Sequence, residues 1–187
     1  MDSISLILKA LEFAAGRHLT QHRKGADRAP YINHPIQVAS LLVNEAGEED
    51  PVLIAAAILH DVIEDTVDSE EEKKELINRL REIFGEEVLS LTLEVTDDES
   101  LEKKERKRLQ VVFAPSLSGR AQKLRIADKI MNLHDIYSNP PEDWPLQRII
   151  EYYDWAENVV AGIRGVNTTL DEIFDETLKA GREKYHH

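Results

Sequence analysis

Apolar positions recur every three to four residues along almost the whole chain, which is the spacing of amphipathic helices. Over residues 4–19, Ile4, Ile7, Leu8, Leu11, Ala15 and His18 fall on one stripe. "QHRKGADRAPYIN" breaks the period with Gly25 and Pro30 and reads as a loop. Helix resumes in "HPIQVASLLVNEAG", with Pro35 in its first turn and Gly47 past its end. Asp50 and Pro51 then open "DPVLIAAAILHDVIED" as N-cap and first helical residue. Ser69 with Glu72 three positions on has the spacing of a capping box, and Gly85 closes that helix. Further helices are predicted over 86–95, 101–113, 118–138, 145–163 and 168–180. Only "LSLTLEVT" (89–96) alternates enough to compete as a strand. The pattern predicts an all-α fold of roughly eight to ten helices. No linker or internal repeat divides it, so residues 1–187 are expected to form one compact domain.

One element carries chemistry at odds with its pattern. The segment from Val52 to Ile63 is apolar on nearly every side and belongs in a core. Yet His60, Asp61, Glu64 and Asp65 sit at its C-terminal end, where the helix dipole disfavours carboxylates. Burying an unpaired carboxylate costs several kcal/mol in addition. A bound divalent cation offsets both costs and turns the histidine into a ligand; a solvated helix end is the plainer alternative. Neighbouring residues point about 100° apart on a helix. A metal at the helix edge can therefore touch both His60 and Asp61, with Glu64 and Asp65 bordering it one turn on.

Further ligands must come from elsewhere. His18 continues an apolar stripe through Leu11, Ala14 and Ala15 and so faces inward, as a ligand or as a core histidine bonded to a carbonyl. Asp128 lies inside a helix between apolar Leu124 and Met131, as a ligand or as a salt-bridge partner of Arg125 or Lys129. His18, His60, Asp61 and Asp128 together make a mixed nitrogen and oxygen site suited to Mn²⁺, Fe²⁺, Zn²⁺ or Mg²⁺.

Net charge is −13, which argues against general nucleic-acid or anionic-membrane binding. The positive charge is concentrated in "HRKGADR", "EKKERKR" and "KLR", enough to receive a small polyanion if these segments converge on one cleft. Within "LEKKERKRLQ", Lys103 and Arg106 share a helical face and Arg108 points elsewhere; a solvated basic face is the competing account. The absence of cysteine excludes disulfides and thiolate metal sites. No apolar run is long enough to span a bilayer, and the N-terminus does not read as a signal peptide, so a cytoplasmic location is expected. The closing His186–His187 pair reads either as native or as a tag remnant.

The ordered set of a histidine, a His-Asp pair and a distal aspartate resembles the HD-superfamily metal phosphohydrolases. The longer strings "GRHLTQHRKGADRAPYINHPIQVA", "AAILHDVIEDT", "EVTDD", "ERKRLQ" and "KLRIADKIMNL" resemble the hydrolase domain of the RelA/SpoT family. With "EYYDWAENVV" and the short length, the chain is most similar to the stand-alone small alarmone hydrolases of the Mesh type, over roughly residues 5–165. The resemblance implies an all-helical fold with one Mn²⁺ per chain. It implies hydrolysis of the 3′-diphosphate of ppGpp or pppGpp to GDP or GTP and pyrophosphate. By position it assigns the metal to His18, His60, Asp61 and Asp128, and activation of water to Glu64 and Asp65. Arg23 and Lys24 match a phosphate-gripping pair, and Asn132 and Tyr152 match nucleotide-contacting positions. Relatives of this type also remove the 2′-phosphate of NADPH, which makes a phosphatase of NADPH or another nucleotide the alternative enzyme. A non-catalytic alarmone-binding module and an acidic helical interaction domain are the alternatives of other classes.

The chain departs from the pattern at His134, where relatives often carry Arg. The second His-Asp pair, at 134–135, reads as incidental, and His22 as a solvated loop residue, with contact to phosphate the lesser alternative. His34, in "YINHP", is expected to brace the loop through a hydrogen bond, with ligation the lesser alternative. Oligomeric state is not legible.

Overall fold

A computed structural model describes residues 1–185; the closing histidine pair lies outside them. Among the described residues the chain forms nine α-helices and one 3-10 turn, with isolated bridges in place of any strand. The helices are α1 (Ser3–Arg17), α2 (Asn33–Asn44), α3 (Pro51–Leu59), α4 (Val62–Asp65), α5 (Glu70–Val95), α6 (Lys103–Phe113), α7 (Gly119–Ser138), α8 (Leu146–Ala161) and α9 (Thr168–Tyr185). None is long and apolar enough to cross a membrane.

The apolar run beginning at Pro51 is the centre of the molecule. Asp50 caps it by accepting from the Val52 amide at 3.0 Å, and every residue from Leu53 to Leu59 is buried. A helix apolar on all sides needs neighbours on all sides. Here α1, α2, α5 and α7 surround α3. The second packing centre is α7, which lies against α2, α5, α8 and α9, while α6 rests on α8.

Two boundaries differ from the pattern, and a third stretch follows it. The helix expected to continue through Asp65 breaks at His60–Asp61. There the His60 imidazole takes the Ala57 carbonyl at 2.8 Å, the acceptor that the Asp61 amide would use in a continued helix. At Gly85, φ of +83° joins two helical pieces into α5 across a kink, so the expected boundary survives as a bend. The alternating stretch 89–96 is helical through Val95, and its apolar residues Leu89, Leu91 and Val95 are buried.

Candidate active site

The break after α3 turns His60 and Asp61 toward the N-terminus of α2 and the middle of α7. His34, on the first turn of α2, begins a buried stripe with Val38 and Leu42 and is only 1% exposed. Its Nε2 lies 3.1 Å from Asp128 Oδ1 and 3.8 Å from Asp61 Oδ2. His60 Nε2 lies 3.1 Å from Asp61 Oδ2 and 3.7 Å from Asp128 Oδ1. Two imidazoles and two carboxylates from α2, α7 and the α3–α4 turn thus converge on one point. Among the described residues, His34, His60 and Asp128 offer ligand atoms all within 4.8 Å of one another.

His18 is not one of the converging groups. It is buried at 2% exposure, in line with Ala10 and Ala14, whereas Ile4, Leu8 and Ala15 of the expected stripe are exposed; it caps α1, and its Nδ1 binds Gln21 Oε1 at 2.6 Å. Its ring stacks on Tyr31 with centroids 4.9 Å apart. Helical period does not say which buried group a side of α1 meets. The site histidine from this part of the chain is His34, expected above as a loop brace.

The donor set fits a divalent cation on three observations. The His60 ring gives its Nδ1 proton to the Ala57 carbonyl, which fixes the tautomer and leaves an Nε2 lone pair. Among the described residues that Nε2 is buried and makes no hydrogen bond, though Asp61 Oδ2 lies 3.1 Å away. Electrostatics agree: burial opposes charge on both carboxylates, yet His60 and His34 hold Asp61 low, while Lys129 and the two imidazoles hold Asp128 well below the usual range. Burial likewise opposes a charge on His60, but Asp61 and Asp128 raise its pKa well above the ordinary imidazole value. Burial lowers that of His34. The two acids therefore demand positive charge, which a proton on His60 or a divalent cation provides. The residues present fit a divalent metal of the mixed nitrogen and oxygen class.

Neighbouring side chains hold these groups in place. Tyr31 donates to Asp61 Oδ2 at 2.8 Å and Asn132 to Asp128 Oδ1 at 2.6 Å. Lys129, buried despite its charge, donates to Asp128 Oδ2 at 3.0 Å and lies 4.4 Å over the Trp155 ring. The salt bridge weighed against ligation at Asp128 is therefore present, buried beside the site.

Above this floor opens a cleft of about 720 Å³. Tyr31, Asn132 and Asp65 line its base, and Asp65 accepts from Gln21 at 3.0 Å. Glu64 stands behind, half-buried, accepting from the Asp97 amide. Burial, with the negative charges of Asp61 and Asp97, pushes its pKa up to about 8, which suits a group that exchanges protons near neutrality.

One cleft wall is basic, with Lys24, Lys103 and Arg106 all lining it. Arg108 turns away to pair with Glu105, as its position on the helix predicts. Arg23 also lines the cleft, but its guanidinium is held by Asp135 at 2.6 Å and Asn132 at 2.9 Å. The aspartate of the second His-Asp pair is thus not incidental: it anchors the arginine expected to grip phosphate. His134 and His22 line the cleft too, His22 being exposed and bound to the Thr20 carbonyl. Tyr152 packs between Trp144 and Trp155, with ring centroids 5.6 and 5.1 Å away. The pattern gave no place to Lys107, whose ammonium lies 4.8 Å over Tyr152 and 4.4 Å over Trp155. Burial and the cations Lys103, Lys129 and Arg148 bring its pKa down to about 8. It was discoverable, because Lys103, Arg106, Lys107 and Gln110 form a helical stripe and all four line the cleft.

The geometry has counterparts in known proteins. The model of the HD domain family matches residues 10–149. Guanosine-3′,5′-bis(diphosphate) 3′-pyrophosphohydrolase MESH1 of Homo sapiens is 46% identical over 173 residues, covering 92% of this chain and 93% of that protein. The Xenopus tropicalis protein of the same name is 44% identical over 171 residues, covering 91% and 92%. The solved structure of a metazoan orthologue of SpoT that hydrolyzes ppGpp superposes with a TM-score of 0.87 at 41% identity, covering 93% of this chain and 94% of that one.

Proposed function

The chain belongs to the HD domain family and, within it, to the MESH1 group, and on that premise we propose that it is a ppGpp hydrolase with one Mn²⁺. The reaction splits the 3′-diphosphate from ppGpp or pppGpp: water adds at the phosphorus joined to the 3′ oxygen, and GDP or GTP and pyrophosphate are released. We read residues 1–187 as one HD-type domain and the protein as cytoplasmic. The observation that carries the reading is the convergence of His34, His60, Asp61 and Asp128 beneath a cleft walled by Lys24, Lys103, Arg106 and Lys107.

When bound, the divalent ion lowers the pKa of water and draws charge from the phosphoryl oxygens. Two imidazoles and two carboxylates accommodate Mn²⁺, as they do Fe²⁺, Zn²⁺ or Mg²⁺. The protein's own groups supply the rest. Glu64, poised near neutrality, takes the proton of the attacking water, directly or through Asp65 at the cleft base. The basic wall neutralises the diphosphate before and during its departure, Arg as a fork and Lys as a point charge. Arg23 presents its remaining donors from a guanidinium already oriented by Asp135 and Asn132. Tyr152 and the two tryptophans offer aromatic surface to the base.

The test is product analysis after chelation. Protein stripped of metal should leave ppGpp intact, and added Mn²⁺ should restore release of GDP and pyrophosphate, resolved by anion-exchange chromatography. Full turnover with no metal present by elemental analysis would defeat the reading. NADPH is assayed beside ppGpp, because a basic cleft over such a site also accepts a 2′-phosphate; turnover of NADPH alone would move the assignment to that substrate.

A further inference from the structure

We infer that His18 is a positioning residue, which through Gln21 sets the orientation of the Asp65 carboxylate at the cleft base. This rests on the hydrolytic role proposed for Asp65 and extends it to two residues outside the metal site.

The hydrogen-bond chemistry runs in one direction only. An ionised carboxylate accepts and cannot donate, so the Gln21 group facing Asp65 Oδ2 at 3.0 Å is its amide nitrogen. The amide oxygen therefore faces His18 and accepts from Nδ1 at 2.6 Å. His18 is thus the Nδ1–H tautomer. Among the described residues its Nε2 is buried and makes no hydrogen bond.

Each member is fixed by the backbone or by packing. The Gln21 amide donates to the His18 carbonyl at 3.1 Å, and the Gln21 carbonyl accepts from Tyr31 at 2.9 Å. The His18 ring lies in the core at the end of α1, stacked on the same Tyr31 that binds Asp61. Arg17, the residue before, donates to the Thr66 hydroxyl at 2.9 Å and to the Thr66 carbonyl. The end of α1 thereby grips the Asp65–Thr66 segment at both side chain and backbone. Asp65 is itself exposed, and an exposed carboxylate without Gln21 would sample several rotamers. A catalytic group displaced by about 1 Å can cost up to ~10²-fold in rate.

The experiment uses the full chain and compares His18→Leu, Gln21→Leu, the double variant and His18→Asn, whose amide nitrogen can replace Nδ1. Each is followed by ppGpp kinetics with Mn²⁺, by calorimetric Mn²⁺ affinity and by thermal melting. The relay predicts a kcat about tenfold to a hundredfold lower in either leucine variant, with KM and Mn²⁺ affinity unchanged. The double variant should be no worse than the singles, and His18→Asn should recover most of the loss. Unchanged kcat in Gln21→Leu, which tests the link even if the His18 variants fail to fold, overturns the inference. Loss of Mn²⁺ affinity in His18→Leu overturns it in favour of His18 as a ligand. A readout free of substrate separates this outcome from failure of the proposed activity. ¹⁵N-histidine NMR of the wild type should show His18 protonated at Nδ1, and Gln21→Leu should abolish that preference. An Nε2–H tautomer in the wild type sinks the relay whichever substrate the enzyme takes.

Discussion

The floor and the wall of the cleft are built on opposite principles. The floor is buried and rich in acids, and each acid is bonded in place before any ligand arrives: Tyr31 on Asp61, Asn132 and Lys129 on Asp128. The wall, on α6 and the loop bearing Lys24, is basic and partly open, and several of its cations have other cations as neighbours. The floor holds a deficit of positive charge and the wall a surplus. A divalent cation meets the first demand, and a nucleotide carrying a diphosphate meets the second. The floor is pre-organised for chemistry, whereas the wall becomes fully neutralised only when polyanion is present.

Removing a floor residue should cost most. His34→Ala is expected to lower kcat/KM at least ~10³-fold and weaken calorimetric Mn²⁺ binding, since a bound divalent cation contributes several kcal/mol. Wild-type Mn²⁺ affinity in that variant would remove His34 from the floor. Glu64→Gln should lower kcat by ~10²–10³-fold with ppGpp binding retained, the range of general acid–base catalysis. A fully active variant would release Glu64 from its role. Arg106→Met, on the wall, should raise KM about tenfold with kcat nearly intact, near the ~1.5 kcal/mol of one charge-assisted hydrogen bond. It should also flatten the dependence of KM on salt; a change confined to kcat would erase the contrast between the two surfaces. The smallest effect is expected at Gly25, where a Cβ would lie 2.3 Å from the Asn139 amide and 2.6 Å from its carbonyl oxygen. Gly25→Ala must shift the loop bearing Arg23 and Lys24, raising KM roughly fivefold, or ~1 kcal/mol, by steady-state kinetics.

Glu64 also makes the floor sensitive to pH. Its folded pKa of about 8 exceeds the ordinary value of 4.5, so the fold favours the protonated form. Its contribution to stability is complete below about 4.5 and is lost as pH rises through about 8, with a slope of at most ~1.4 kcal/mol per pH unit for one proton. Melting of metal-free wild type and Glu64→Gln across that window should show a shallower decline in the variant. Parallel curves would mean that Glu64 titrates normally.

The same contrast explains what could be read in advance. Acids at the end of an apolar helix violate the pattern, so His60 and Asp61 were visible as needing an explanation, and Asp128 stood out separately as an acid among apolar neighbours inside its helix. His34 and His18 were interchangeable by that logic. Residues 10, 14 and 18 form one inward stripe and 34, 38 and 42 another, and period alone does not say which buried face adjoins which. The break at His60–Asp61 was hidden for a related reason: it depends on a side-chain bond to Ala57. The wall was harder to read, because a basic helical face is ordinarily a solvated one. Only the packing of Trp155 and Tyr152 against Lys107 separates it from that case. Asp135 was in view but unassigned, although Asp128, Asn132 and Asp135 follow one another along the same face of α7.

Because α3 is enclosed along its whole length, its amides have no local route to water. Hydrogen exchange from Leu53 to Leu59 should proceed only through opening of the entire domain. The helix that delivers His60 and Asp61 can then serve as an internal gauge of occupancy: saturating it with Mn²⁺ at a hundred times Kd should slow that exchange by about a hundredfold, whether or not any nucleotide is turned over.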